Sequence, residues 1–413
     1  MTFRLIPRHP GRVRSSIRLT EPDHRVTSLE LLFDLVFVFA FTQITAAVAA
    51  DPTPGGAGRG LLLFALLWWA WCSYAWLGNQ AQADEGLVRA TLVVAMVAIL
   101  VIALAIPEAW GDLPGGINAP LALAVAVAVV RIGHLVVYLV AAGDDHGLRR
   151  QLLWTALPVL TAIVPLIIGA LAAAGPRVWW WAAALLVDYA GIYLAGAEGW
   201  RLPSPSHFAE RHGLIVIVAL GESIVAIGVG IAGLPLSWPV VGGAVLGIAV
   251  TVCLWWLYFD VVATVAEQQL SSRTGPDRAR LARDSYTYLH FPMVAGVLAM
   301  AVGVKKVLGY LAEPDGGKVR ESLHGAPAWL LVLGPASYLI ALSLFRRRNV
   351  GSFNQPRLVA GTGLLLLGLV VPQVSAAIAL GLVSAVLIGL VLFEVTRYRQ
   401  ARDAIRHGGA GAD

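Results

Sequence analysis

Runs of about twenty apolar residues recur along the whole chain, and they fix its solvent before anything else. A bilayer core about 30 Å thick is crossed by a helix of roughly 20 apolar residues. Twelve runs of that kind are read at 29–50, 60–78, 88–107, 119–142, 152–174, 178–199, 212–233, 239–265, 286–309, 327–346, 357–372 and 374–396. Backbone polar groups cannot stay unpaired in hydrocarbon, and none of the runs has the polar/apolar alternation of a barrel strand, so each reads as a helix. Composition agrees: only 13% of the 413 residues are charged, against about 25% in a soluble domain. The expected fold class is therefore all-α, a polytopic transmembrane bundle of about 12 spans. Two boundaries rest on short punctuation alone, Gly175-Pro176-Arg177 and Pro372-Gln373.

Basic residues orient the spans. With the N-terminus in the cytoplasm, the inside segments hold 23 of the 30 Lys and Arg and the outside segments hold 4, namely Arg59, Arg177, Lys318 and Arg320. That asymmetry is what the positive-inside rule demands. It places both termini in the cytoplasm of a cell (inner/plasma) membrane and makes the number of spans even. The net charge of +5 is thus a topology signal, and no nucleic-acid partner is expected. Membrane lipids are the expected surroundings. Cys72 and Cys253 lie inside apolar runs and read as packing residues.

The chain carries a weak internal repeat. Glu30 to Ile44 in the first span and Glu210 to Ile224 in the seventh share an acidic start and an uninterrupted apolar block. Further along, Trp68-Trp69 meets Trp255-Trp256, and Met96-Val97-Ala98 meets Met293-Val294-Ala295 in the same order. The organisation read from this is a basic tail (1–28), a six-helix half (29–200), a linker (201–211), a second half (212–396) and a tail (397–413). A parallel 6+6 repeat of this kind is common in transporters, with the site between the halves.

An ionisable residue at mid-bilayer costs at least about 2.5–3.5 kcal/mol, so it faces the bundle interior. Arg131 and His134 lie mid-way along the fourth span, Asp188 mid-way along the sixth and Glu222 within the seventh. Arg131 cannot lose its proton and needs an acid at that depth; Asp188 and Glu222 are the candidates. Two readings stand: a fixed ion pair locking the helices, or a site where one acid pairs with Arg131 while the other shares a proton with His134. Glu30 and Asp34 share one helix face at i and i+4. Thr27 or Ser28 can cap that helix, which explains Glu30; Asp34 needs a buried partner, His290 or an arginine of 201–211, with a cation site at these carboxylates as the lesser reading. Asp260 and His290 are secondary candidates near span ends. Trp179–Trp181 read as an interfacial belt.

No phosphate loop, zinc-protease pattern or nucleophile elbow occurs, and the longest internal loop is too short for a soluble catalytic domain. No catalytic residue, metal or cofactor is expected. The string Val26–Val38 (VTSLELLFDLVFV) and the string Glu210–Ile224 (ERHGLIVIVALGESI) resemble the two most recognisable segments of the bacterial low temperature requirement A family. Leu32 stands where that family commonly has Phe. The matching polar residues are Glu30, Asp34, Glu210, Arg211, Gly221, Glu222 and Ser223. The resemblance implies a multispanning bacterial membrane protein linked to growth in the cold and supplies no reaction or substrate. The leading expectation is a permease for an unknown small molecule or ion, with its site around Glu222, Asp188, Arg131 and His134. The alternative is a non-transporting sensor or membrane-homeostasis protein.

Overall fold

The computed structural model describes residues 17–21, 24–233, 235–313, 320–400 and 402. Most of the two basic tails, and Lys318, lie outside the described residues. In the described residues the chain is helical throughout, with two isolated backbone bridges, Leu19–Ala81 and Ser322–Ser375, and no strand.

The helical segments are α1 (Ser28–Ala50), α2 (Pro54–Gln80), α3 (Gly86–Ala105), α4 (Ala119–Ala141), α5 (His146–Leu171), α6 (Ala174–Leu194) and α7 (Pro205–Gly230). They continue with α8 (Trp238–Phe259), α9 (Val262–Ser272), α10 (Gly275–Leu281), α11 (His290–Leu311), α12 (Ala326–Val350), α13 (Gln355–Leu367) and α14 (Ala376–Arg397). Helix α9 continues α8 across a turn at Asp260, and α10 runs through a π-helical stretch, Ala282–Tyr288, into α11. The segments therefore make twelve helices, ten of them long and apolar enough to cross a membrane.

The two that fall short are α6 and α13. Thirteen residues of α13 reach only about 20 Å at about 1.5 Å per residue, short of a 30 Å core. Its expected run, 357–372, is cut because the chain turns at Gly368 and Pro372 keeps Val371 out of a long helix. Helix α6 has the length but carries Arg177, Asp188 and three tryptophans. Of those, Trp179 is 77% exposed whereas Trp181 is fully buried, so only part of the expected belt faces outward. Helix α7 starts at Pro205, inside the expected 201–211 linker, so Glu210 and Arg211 are helical residues.

Helix α2 is the innermost element, with 89% of its most apolar stretch buried, against 33% for α5. Its Trp68 and Trp76 indoles donate to the carbonyl and hydroxyl of Thr287 in the π-helical stretch, tying α2 to the start of α11. In the first half α1 packs on α2 and α3, α3 on α4, α4 on α5 and α5 on α6. In the second, α7 packs on α8 and α11, α11 on α12, α12 on α13 and α13 on α14. Helices α1 and α7 join the two sets. Contacts Glu30–His207, Asp34–Arg211 and Thr45–Glu222 all span 177 residues of sequence. A constant separation means that the two helices run side by side in the same direction.

Glycines set the closest approach, between α11 and α12. A Cβ on Gly296 would stand 2.5 Å from the Gly334 carbonyl oxygen, and one on Gly334 would stand 2.6 Å from the Gly296 oxygen and the Met300 nitrogen. Helix association in lipid relies on such small residues, since apolar burial offers no gain over lipid tails. Gly296→Ala is expected to cost about 1–3 kcal/mol of stability by forcing the backbones apart. Gly381→Ala on α14, where a Cβ meets nothing within 4 Å, is expected to be neutral or to gain about 0.5–1 kcal/mol. Thermal unfolding in detergent compares the two.

Candidate functional site

The α1–α7 interface begins at the α1 N-terminus. Thr27 caps the helix: its hydroxyl accepts from the Glu30 amide at 3.3 Å, and Glu30 Oε2 accepts from the Thr27 amide at 2.9 Å. That reciprocal box satisfies two orphan donors and occupies one oxygen of Glu30. The other, Oε1, meets Arg211 Nη1 at 2.9 Å and His207 Nε2 at 3.1 Å. Arg211 Nη2 donates to Asp34 Oδ1 at 2.9 Å, and the Trp71 indole donates to the same oxygen at 2.8 Å. Two i, i+4 pairs thus face each other, Glu30–Asp34 on α1 and His207–Arg211 on α7. All four side chains are buried. Gly78 of α2 makes room for them: a Cβ there would sit 2.6 Å from Glu30 Oε1.

Asp34 therefore finds an arginine of the 201–211 segment. His290 does not reach it. That ring is satisfied locally, within hydrogen-bond distance of the Tyr258 hydroxyl (2.8 Å) and the Ser285 carbonyl (3.2 Å). Since a carbonyl only accepts, Nδ1 carries the proton and Nε2 accepts from Tyr258. Asp260 pairs with Arg402 at 2.5 Å. Glu210 lies at the exposed edge, where Oε2 accepts weakly from the Val26 amide at 3.4 Å. A Cβ on Gly221 would meet open space, and Ser223 is buried with its hydroxyl unpartnered among the described residues.

Arg131 and Asp188 form a second buried site. Arg131 Nη2 lies 2.8 and 2.9 Å from the two Asp188 oxygens, and Nη1 donates to the Ser73 hydroxyl. This links α4, α6 and α2. Glu222 is not part of it. His134, one turn from Arg131, packs against Tyr74 and Tyr138, and neither ring nitrogen has a hydrogen-bond partner among the described residues. The four residues expected to converge are therefore separated into a pair, an isolated histidine and an acid elsewhere.

Glu222 sits on the α1 side of α7. Thr42 donates to Oε2 at 2.5 Å and Thr45 to Oε1 at 2.6 Å. Each hydroxyl has a second acceptor in reach, the Val38 carbonyl at 3.0 Å and the Thr42 carbonyl at 3.1 Å. A hydroxyl has one proton to donate. Both protons can point at a charged Glu222; when it is protonated, one hydroxyl can turn its proton to its helix carbonyl and accept from the carboxyl while the other goes on donating. Thr45 also lines a cavity of about 310 Å³ between α1, α2, α11 and α12. Its walls are Ile44 and Val48 of α1, Phe64 of α2, Gly296 and Val302 of α11 and Leu333 of α12, with Leu61 and Leu333 at the exposed rim.

Sequence reasoning missed His207, Trp71, Ser73, the two threonines and a further buried pair. In that pair, Arg357 binds both oxygens of Glu394 at 2.7 Å and donates to the Leu257 carbonyl at 2.9 Å. The signal available for His207 was its i, i+4 spacing from Arg211, which mirrors that of Glu30 and Asp34.

A family model described as bacterial low temperature requirement A protein (LtrA) matches residues 25–392. The chain belongs to the LtrA family. It is also 31% identical over 288 residues to an uncharacterized protein of Rhizobium meliloti (strain 1021), a match covering 66% of this chain and 67% of that protein. No solved structure matches the chain. The two segments that carry the LtrA resemblance are the two that meet here: Glu30 and Asp34 come from one, Arg211 and Glu222 from the other.

Proposed function

We propose that this LtrA protein is a permease that carries a small lipophilic molecule through the cavity between its halves. The observation that carries the reading is that Thr45 both walls that cavity and holds Glu222. An apolar pocket of a few hundred Å³ with few convergent polar groups is the usual form of a small-molecule site. Its position between two six-helix sets with the same order of neighbours supports a parallel repeat, and repeat interfaces are where transporters bind substrate. The basic asymmetry supports a cytoplasmic location for the α1 and α7 N-termini, so the Asp51–Gly60 end of the cavity faces outside.

Glu222 is the group whose protonation would couple to the cycle, since its threonines serve either state. Arg131 and Asp188 take the other role weighed for them, a lock between α2, α4 and α6.

The test is flux in proteoliposomes across a panel of lipophilic small molecules, with and without an imposed pH gradient. Wild type is expected to move at least one member faster than empty liposomes. Glu222→Gln is expected to retain carriage and lose the response to the gradient. Ala299→Trp, which fills the cavity, is expected to reduce carriage about tenfold or more. Flux unchanged in both variants would remove this cavity from the mechanism.

A further inference from the structure

The His207–Glu30 contact has a neighbour that none of the foregoing uses. His24, in the segment before α1, places its ring 5.2 Å from that of His207. A nitrogen of His24, a nitrogen of His207 and an oxygen of Glu30 all lie within 4.8 Å of one another. We propose that His24, His207 and Glu30 form a binding site for a divalent transition-metal ion, with zinc as its probe.

Three observations carry this. The first is the donor set. Two imidazoles and one carboxylate form a His2Glu set, which suits zinc and its neighbours and leaves a fourth position open. Zinc ligands lie about 2.0–2.2 Å from the ion, so the three atoms need close by only about an ångström or so from their present spacing. The second is charge. Glu30 and Asp34 offer two carboxylates against the one guanidinium of Arg211, so with His207 neutral, as a metal ligand must be, the buried cluster carries an excess negative charge. Uncompensated charge at such a site is costly, and a cation relieves it. The third is unmet bonding capacity. His24 Nε2 and Asp34 Oδ2 are both sealed from solvent with no hydrogen-bond partner among the described residues. The His24 nitrogen belongs to the cluster itself and gains from a cation there.

The surroundings fit. Glu30 Oε2 is filled by the Thr27 amide and hydroxyl at 2.9 and 3.1 Å, so the ion takes the position on Oε1 that the His207 Nε2 proton now occupies beside Arg211. His207 ligates through Nε2 once the proton it shares with Glu30 moves to Nδ1, where the Asn79 side-chain amide lies 3.4 Å away. Asn79 keeps its amide nitrogen on the Ser204 carbonyl and its oxygen on the Ser204 amide, and gives up only the long contact to Nδ1. His24 is only partly buried, so the ion enters from that side. Occupied, the site would clip the segment before α1 to both α1 and α7.

The test uses full-length protein without a histidine tag, purified in detergent, stripped with a chelator and titrated with zinc near pH 7. Bound zinc per chain by elemental mass spectrometry and the thermal midpoint are both read. Wild type is expected to retain about one zinc per chain and to rise in midpoint, with magnesium giving neither effect. His24→Ala, at the edge of the cluster, is chosen because it keeps the Arg211 network intact. Losing a partner one shell out from a metal costs about 10–100-fold in affinity, so losing a ligand is expected to weaken zinc binding by at least that range and abolish the midpoint rise. His146→Ala and His324→Ala, at exposed positions, are expected to change nothing. No stoichiometric zinc on wild type overturns the proposal, and so does equal binding by His24→Ala.

Discussion

Arg211→Met is expected to cost about 3–5 kcal/mol of stability, because removing one partner of a buried ion network leaves the others uncompensated. In this case two carboxylates, Glu30 and Asp34, lose the one guanidinium that touches both. The Trp71 and Phe33 rings under Arg211, 5.7 and 5.8 Å from its guanidinium carbon, lose a cation as well. Arg211→Lys is not expected to rescue, since a single ammonium cannot reproduce the fork that reaches one oxygen of each acid. The decisive variant is the triple change Glu30→Gln, Asp34→Asn, Arg211→Met. It removes every charge together and is expected to recover most of the loss, as buried ion pairs replaced whole often prove nearly neutral. Thermal and denaturant unfolding in one detergent measure all three. A triple variant as unstable as Arg211→Met would show that the network's charges are not what the arginine balances.

The Arg131–Asp188 pair gives the second large effect. Arg131→Leu and Asp188→Leu are each expected to cost about 3–5 kcal/mol, because each strands an opposite charge inside the bundle. The double variant is expected to be more stable than either single one, so the cycle shows strong positive coupling. Ser73→Ala is expected to cost about 1.5–3 kcal/mol, the range for a hydrogen bond to a charged group. The same double variant tests function. If the pair only locks α4 to α6, carriage survives in proteoliposomes made from it. Carriage lost while folding is kept would move the pair into the transport site. A cycle with no coupling would remove the ion pair itself.

These two sites show what was legible in the chain. Arg131 is charged at every pH and lies inside an apolar run, so a buried acid was required, and Asp188 and Glu222 were the two at comparable depth. Helical rise gives depth, and depth cannot choose between them. Asp188 won because α4 and α6 both approach α2, whereas α7 turns Glu222 toward α1. Similarly, the i, i+4 spacing put Glu30 and Asp34 on one face and left open which element lay opposite. Thr42 and Thr45 looked like ordinary helix residues, since nothing local marks a hydroxyl that serves a carboxylate 180 or 177 positions away.

Sequence alone determined the class of this protein: membrane helices, their approximate bounds, the family, and the short list of charges that must be buried. It could do so because lipid imposes a local rule, that each crossing segment satisfy its own backbone and keep charge off its surface. Tertiary structure alone decided which of those charges meet, that α13 stops short, and that Thr45 joins Glu222 to a cavity. Those outcomes depend on how helices rotate and which neighbours they take, and side chains tens to hundreds of residues apart settle that together.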